Sequence, residues 1–507
     1  MDDEAGRKNR DIRWLAVAIS FLLSGFMVLT GWIPNEDAFT YIRTVEIFNQ
    51  QGLAAAFAHY PWASYALLIA FVENTLRLDP FLAAALVNAC FYGLLVYAFI
   101  SLVGELDDSR RAALLAAVVV LVYPQLNENR LLIIRDSAFW ALALAGLWQF
   151  LRYLRIGRLP NAIGFSACYL LAALFRVEAL ALLLVIPFSV IISTPSGTGR
   201  QWLALGGFTL ASVVMVVLAI SLGSLVGLDL PQLLANQYAA YLPFIRETFS
   251  PTDLTTARLG TAIFGEYAAN FSGDYLPLFM LAGFLAVLTA FLGRGIGGPF
   301  LIVMLAGMMQ KLWYLPRWQL TPLLIAVLAN IFIALAFLVT TRFLSSRYVL
   351  LACLVLVVFM PLLLIRLHRM ASGSGRGKLS RRLIGFLLLY CAVDAYISFG
   401  ADKEYVREAG QWIARNSQAQ AALLTNNRIV AYYSQRIEDY DRVPIVLSIT
   451  DVLQTPAGTL IAFEEDNSSV GFFADPRLEG TVEEINRIGP EPGQQIVIYR
   501  RLQDTTN

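Results

Sequence analysis

Histidine is nearly missing from this chain of 507 residues: His59 and His368 are the whole supply. A metal centre built on several imidazoles therefore lacks its ligands. Cysteine is almost as scarce. Cys90, Cys168, Cys353 and Cys391 all lie in apolar runs, and the segment after Ala401 has none. That excludes a disulfide framework or a Cys-rich metal site and leaves four small hydrophobes. Charge is the third deficit, with 15% charged residues against 58% hydrophobic ones. At a mean hydropathy of +0.62 a soluble globular chain is excluded, and the composition is that of a polytopic membrane protein.

The chain also shows no internal repeat, and its one low-complexity stretch is 372–377, a flexible loop. The net charge of +1 conceals an asymmetry. From Ala401 onward there are ten Lys or Arg against sixteen Asp or Glu, so the tail is acidic and the membrane part basic. The first apolar run, 14–33, is long enough to span about 30 Å of hydrocarbon and has no small-residue cleavage pattern behind it, so it reads as an anchor.

Arg7, Lys8, Arg10 and Arg13 precede that run, which by the positive-inside rule puts the N-terminus in the cytoplasm. Further spans are expected at 81–103, 112–124, 138–154, 162–175, 179–192, 202–226, 320–340, 348–365 and 383–399. The basic loop from Arg366 to Arg382 holds seven basic residues and no acid, so it belongs inside. Between 276 and 316 two apolar runs are joined by a Gly-rich link. Charge balance lets one of them span while the other lies along the membrane or re-enters it. The total is eleven spans, with the acidic tail outside. The expected organisation is an all-α polytopic membrane domain, 1–399, with amphipathic helices in the outer loops 34–78 and 227–275. A small extracytoplasmic α/β domain, 400–507, follows, with a helix at 405–416 and strands at 421–425, 445–449, 459–463 and 495–499.

A charge at the bilayer centre costs about 3 kcal/mol, so ionic groups beside apolar spans usually have work to do. Five groups fall on the outer side: Glu36 with Asp37, His59, Arg135 with Asp136, Arg176 with Glu178, and Arg342 with Arg347 and Tyr348. Such a set suits glycosyl transfer from a polyprenyl phosphate. The leaving lipid phosphate is already a stable anion, so the reaction needs a base for the acceptor proton and cations for the departing phosphate. Asp37 fits the first role. Arg347 and Arg342, with Arg135 or Arg176, fit the second, because a guanidinium matches phosphate oxygens in a bidentate fork. A divalent cation between Asp37 and Asp136 stays open, since two carboxylates on different loops specify no metal.

The order of Pro34-Asn35-Glu36-Asp37, then His59-Tyr60-Pro61, Asn129 to Asp136, Phe175-Arg176-Val177-Glu178 and Ser345-Ser346-Arg347-Tyr348 resembles the GT-C superfamily of integral-membrane glycosyltransferases. It is most similar to the branch of bacterial aminoarabinose transferases and protein O-mannosyltransferases. The tail segments 409–416, 422–427 and 430–434 also resemble the extracytoplasmic tails of such enzymes. The resemblance implies a catalytic role for Asp37, a supporting one for Asp136, and the lipid phosphate for Arg347 and Tyr348, with Arg342 and Arg135 beside them. Glu36, His59, Tyr60, Arg176 and Glu178 are then candidates to bind substrate. It implies a bacterial inner-membrane enzyme taking a polyprenyl-phosphate sugar to a lipid-linked glycan, lipid A, a polysaccharide or a protein, with inversion. The Arg135-Asp136 pair and Arg176 with Glu178 depart from the family pattern and leave the acceptor unnamed.

Each residue also has an ordinary reading. Asp37 and Asp136 can cap the helices that follow them. Arg347 can anchor its span at the interface. Arg176 and Glu178 can form a buried ion pair, and His59 can pack at the interface. Thr425-Asn426-Asn427 reads as a turn after a strand. The rival functions are a lipid-glycan flippase or transporter, an envelope-glycan polymerase or ligase, and an inactive scaffold. A transporter should show charges at the midplane, broken helices and repeats, whereas these charges gather at one edge.

Overall fold

The structure is a computed structural model describing residues 2–30, 33–193, 198–225, 227, 229–239, 242–243, 246, 253–272, 275–397, 403–418, 421–466, 469 and 471–502. It is mostly helical, with one small sheet near the C-terminus. By their internal contacts the residues form two compact units: 1–26 with 86–130 and 135–398, and 27–85 with 131–134 and 399–507. This grouping cuts the chain differently from a boundary at 400, because 27–85 goes with the tail.

The first unit is a multi-pass membrane bundle. Five helices among the described residues are long and apolar enough to cross: Asp11–Leu29, Pro80–Leu106, Gly206–Leu225, Leu276–Ile296 and Arg317–Thr341. Ser346–Val357 and Met360–Gly373, bent by 41° at a short break, make a sixth if they are one span. Eleven spans are not established by these lengths. Arg110–Val122, with 13 residues, and Leu159–Ala173, with 15, rise only about 20 Å against about 30 Å of hydrocarbon. Of the two apolar runs at 276–316, the Leu276–Ile296 helix is long enough. Gly298–Met309, with 12 residues, is not.

Small residues let this bundle pack closely. The Asp136–Ile156 helix, buried over most of its length, turns back at Gly157, whose φ of 68° ends the helix in the left-handed conformation that glycine adopts without cost. The next helix, Leu159–Ala173, then lies so near that a Cβ at Gly146 would sit 2.6 Å from the Tyr169 ring. The fully buried Arg130 finds its hydrogen-bond partners inside the bundle: it donates to Asn127 Oδ1 at 3.0 Å, Ser20 Oγ at 3.0 Å and Ser24 Oγ at 2.9 Å. Its guanidinium also lies 4.5 Å over the Tyr92 ring. A charge at such depth persists only when hydrogen-bonded in this way.

In the second unit the stretch after Pro34 forms three helices, Glu36–Gln51, Leu53–His59 and Ser64–Leu76. The tail helix Glu404–Asn416 lies where 405–416 was expected and packs on Arg428–Ser434 across Gly410, where a Cβ would meet Tyr433 Cβ at 2.8 Å. The sheet has β1 (Leu423–Thr425), β2 (Leu460–Asp466), β3 (Val482–Glu491) and β4 (Gln494–Arg501) in the order β1-β2-β4-β3. β1 runs parallel to β2, and β4 is antiparallel to both its neighbours. Val452, Ile461 and Leu478 form its core with Phe472, Phe473 and Tyr499.

Three of the four expected strands correspond to β1, β2 and β4. The strand expected at 445–449 is a loop: Ser448 and Asp451 make a reciprocal capping box that starts the Ile449–Gln454 helix, so local side chains satisfy the backbone. β3 was missed because its residues are mostly polar and two register shifts break its alternation. The outer loop expected at 227–275 lies partly outside the described residues. Its described part is helical, Leu230–Ala239 and Asp253–Ser272, the latter kinked at Gly265. The ends of the runs expected at 202–226 and 383–399, and residue 32, also lie outside the described residues.

Candidate active site

The candidate residues divide between the units. Glu36, Asp37, His59 and Tyr60 belong to the second, and Arg135, Asp136, Arg176, Glu178, Arg342, Arg347 and Tyr348 to the first.

Glu36 and Asp37 open the Glu36–Gln51 helix. The positive end of its dipole favours carboxylates there. Asn35 holds the N-cap position without a side-chain cap. Its amide is used elsewhere, accepting from Ile133 N at 2.8 Å and donating to Ile133 O at 3.4 Å, which fixes the start of the helix against 131–134. Asp37 is partly exposed. Beside it, burial pushes the Glu36 carboxyl above the usual carboxylate range, against the pull of Arg428 and with help from the negative charge of Glu464.

Arg428, Lys403 and Glu464 escaped the sequence reading. Arg428 donates to Thr40 Oγ1 at 3.4 Å, on the same helix as Glu36. Glu464 pairs with Lys403 at 3.2 Å and accepts from Asn427 Nδ2 at 2.7 Å. The Thr425-Asn426-Asn427 turn stands directly before Arg428, but nothing in it points to Glu36. It is a turn after β1, as expected, and it does more. Asn427 caps the Arg428–Ser434 helix through Ile429 N and Val430 N, and so aims Arg428.

His59 is engaged inside this unit. Its Nε2 lies 2.9 Å from Asp441 Oδ2, and Arg442 Nη2 lies 3.4 Å from its Nδ1. Tyr60 packs edge-on against Tyr41, with ring centroids 5.6 Å apart.

In the first unit the structure brings Asp136, Arg176, Glu178 and Tyr348 together. Arg176 sits at the break between Leu159–Ala173 and Glu178–Val185. It pairs with Asp136 Oδ1 and, at 2.8 Å, with Glu178 Oε1. Its guanidinium lies 4.4 Å over the Tyr348 ring and 5.7 Å over Phe139. Tyr348 is in turn stacked on Phe337, with centroids 4.4 Å apart. The space left among these groups is about 10 Å³, about one water, so the ion cluster is packed and has no room for a phosphate.

Three further cations surround that cluster in sequence. Arg135 stands at the N-cap position of the Asp136–Ile156 helix, partly exposed, and acts electrostatically on Glu178 and Tyr348. Arg347 lies in the first turn of Ser346–Val357, next to Tyr348 and also partly exposed. Arg342 ends Arg317–Thr341 in a left-handed conformation, φ 56°, and is exposed. A helix start joined to guanidinium groups is suited to an anion. Among the described residues no three His, Cys, Asp or Glu side chains gather as a metal cage.

No family model and no curated protein matches this sequence. Solved structures match it in fold. The archaeal oligosaccharyltransferase AglB from Archaeoglobus fulgidus, in complex with an inhibitory peptide and a dolichol-phosphate, aligns at a TM-score of 0.50 and 13% identity over 98% of this chain and 75% of that one. The same oligosaccharyltransferase in complex with Zn and sulfate gives 0.50 and 13% over 96% and 73%. ArnT from Cupriavidus metallidurans bound to undecaprenyl phosphate gives 0.49 and 11% over 97% and 98%. At 13% identity the likeness to the archaeal oligosaccharyltransferase is one of fold, and in fold it agrees with what the resemblance implies.

Proposed function

We propose that this membrane protein is a glycosyltransferase acting at the extracytoplasmic face of a bacterial inner membrane, moving a sugar from a polyprenyl phosphate to an envelope acceptor. The observation that carries the reading is the group of partly exposed guanidiniums at Arg347 and Arg135, set around the packed Asp136, Arg176 and Tyr348 cluster, in a chain with this fold. The cluster's role is to position. Asp136 and Glu178 hold Arg176, Arg176 holds the Tyr348 ring, and the start of the Ser346–Val357 helix is fixed by that ring.

The chemistry runs as a single displacement. The acceptor oxygen attacks the anomeric carbon while Asp37 takes its proton, and the bond from that carbon to the phosphate oxygen breaks. The electron pair leaves with the polyprenyl phosphate, whose charge Arg347, Arg342 and Arg135 hold, and the anomeric configuration inverts. Glu36, next to Asp37 in the chain, has its own carboxyl raised by burial against the pull of Arg428. No step is assigned to a metal.

The test is release of polyprenyl phosphate from polyprenyl-phosphate sugars by purified protein in nanodiscs. General-base removal costs about 10²–10⁴-fold, so Asp37→Asn should lose at least about a hundredfold in kcat. Equal turnover would remove Asp37 from the role. The orientation is checked separately by cysteines at two exposed positions, Glu438 and Ser374. The first should label in intact cells and the second only after permeabilisation.

A further inference from the structure

The second unit holds a cleft of about 640 Å³ that none of the roles above uses. Its walls include Arg43, Tyr432, Tyr433, Gln435, Glu438 and Tyr440. The volume falls within the roughly 300–1,000 Å³ typical of small-molecule sites.

The lining is neither a lipid groove nor an anion trap. A lipid chain asks for aliphatic walls, and here one aliphatic side chain, Ile437, stands among three phenol rings and hydrogen-bonding groups. A phosphate asks for uncommitted cations; Arg43 is already shared among Glu46 at 3.1 Å, Glu438 at 3.3 Å and Asp439 at 3.3 Å, and the second lining cation, Arg436, directs its guanidinium to Ser417 O at 3.0 Å and Ser417 Oγ at 3.2 Å. A peptide is commonly taken at a strand edge, and none of these lining residues lies in a strand. What remains is a ligand with flat apolar faces and a rim of hydroxyls. Ring faces meet its C–H groups, while carboxylate, guanidinium, amide and phenol groups meet its hydroxyls.

The cleft is also held in shape before any ligand arrives. Tyr432 sits edge-on to Tyr433 and Tyr440, with centroids 5.1 Å and 5.0 Å away, and edge-on to Phe81 at 5.4 Å. Burial pushes the Tyr432 hydroxyl up to about 12, so it keeps its proton and both donates and accepts. Gln435 ends the Arg428–Ser434 helix at a φ of 56°, a left-handed conformation that costs a non-glycine residue, and it is exposed at the cleft. Arg436 secures the next turn, donating to Ser417 O at 3.0 Å.

We infer that this cleft binds the glycan part of the acceptor, an oligosaccharide of neutral hexose or pentose units, with sugar faces on Tyr433 and Tyr432 and hydroxyls on Gln435, Glu438 and Arg43. Calling the ligand an acceptor rests on the transfer reading; the binding itself does not.

The experiment titrates the full chain in nanodiscs with soluble hexose and pentose oligosaccharides free of any lipid carrier, read by saturation-transfer NMR. At least one class should bind. Tyr433→Ala and, separately, Gln435→Ala and Glu438→Gln should each weaken it about tenfold or more, while Arg415→Ala, exposed and outside the cleft, should not. Gln435 and Glu438 are exposed, so their variants report on the cleft even if Tyr433→Ala fails to fold. The inference falls if no oligosaccharide binds, if binding is indifferent to the Gln435 and Glu438 changes, or if unglycosylated peptides bind in their place. Loss of binding in the variants, with no polyprenyl phosphate released by the wild type, keeps the cleft and sinks the transfer reading. Transfer by the wild type with an unchanged acceptor KM in the variants does the reverse.

Discussion

His59 Nε2 lies 2.9 Å from Asp441 Oδ2, joining residues 382 positions apart in the chain. Arg442 Nη2 faces the other ring nitrogen at 3.4 Å. A guanidinium can only donate, so Nδ1 accepts and Nε2 carries the hydrogen given to Asp441. The neutral imidazole therefore satisfies both neighbours, and the pair is buried, at 7% and 4% side-chain exposure. His59 acts here as a clasp between the helices after Pro34 and the tail.

His59→Ala should accordingly destabilise the second unit. Asp441 Oδ1 has no hydrogen-bond partner among the described residues, so losing His59 leaves the carboxylate with little compensation, at a cost of about 1–3 kcal/mol. Hydrogen exchange across 428–442 should accelerate, and His59→Gln should restore part of the protection. Exchange that is the same in His59→Ala and wild type would refute the clasp.

Glu36 gives a pH dependence of defined sign. Its carboxyl is raised by burial above the ordinary 4.5, so the folded chain binds its proton more tightly than the unfolded one. That contribution is fully present below about pH 4.5 and is lost as pH rises through the folded value. Glu36→Gln should flatten this part of the stability curve and make the unit relatively more stable at neutral pH. A slope that survives the substitution would assign it to another group.

Arg176→Met should be among the most damaging single changes. It strands two carboxylates, Asp136 and Glu178, in a site with room for about one water. Breaking a buried pair from one side costs about 3–5 kcal/mol. Combining Arg176→Met with Asp136→Asn and Glu178→Gln should recover much of the loss in a detergent melting experiment, since the triple variant removes the charges together. No recovery would mean that Arg176 acts through its ring contacts rather than its charges.

Much of this was legible in the sequence for physical reasons that differ from part to part. Apolar runs and their basic flanks locate helices, because insertion in lipid depends on composition more than on partners. Span number is less legible, since 13- and 15-residue helices such as Arg110–Val122 and Leu159–Ala173 carry the same apolar signal as full crossings. In the tail, β1, β2 and β4 show as hydrophobic runs, whereas β3 is polar and broken by register shifts. Among the candidate residues, Asp136, Arg176, Glu178 and Tyr348 were named separately and the fold assembles them. Arg428, Lys403 and Glu464 were invisible because nothing in spacing ties them to Glu36 across nearly the length of the chain.

Arg347 offers the sharpest test of the donor side. It stands in the first turn of Ser346–Val357 beside Tyr348, whose ring is held by Arg176, so its backbone is fixed and its effect should be local. Arg347→Ala should raise the KM for a polyprenyl-phosphate sugar about tenfold, equivalent to about 1.4 kcal/mol. Arg347→Lys should recover only part of this, because an ammonium keeps the charge and loses the two-pronged fit to phosphate oxygens. Arg342→Ala should matter less, since that side chain is exposed and screened by solvent. If Arg347→Lys is as active as wild type, charge alone suffices and a bidentate phosphate contact is wrong. If Arg347→Ala changes neither KM nor kcat, the donor phosphate is held by other groups.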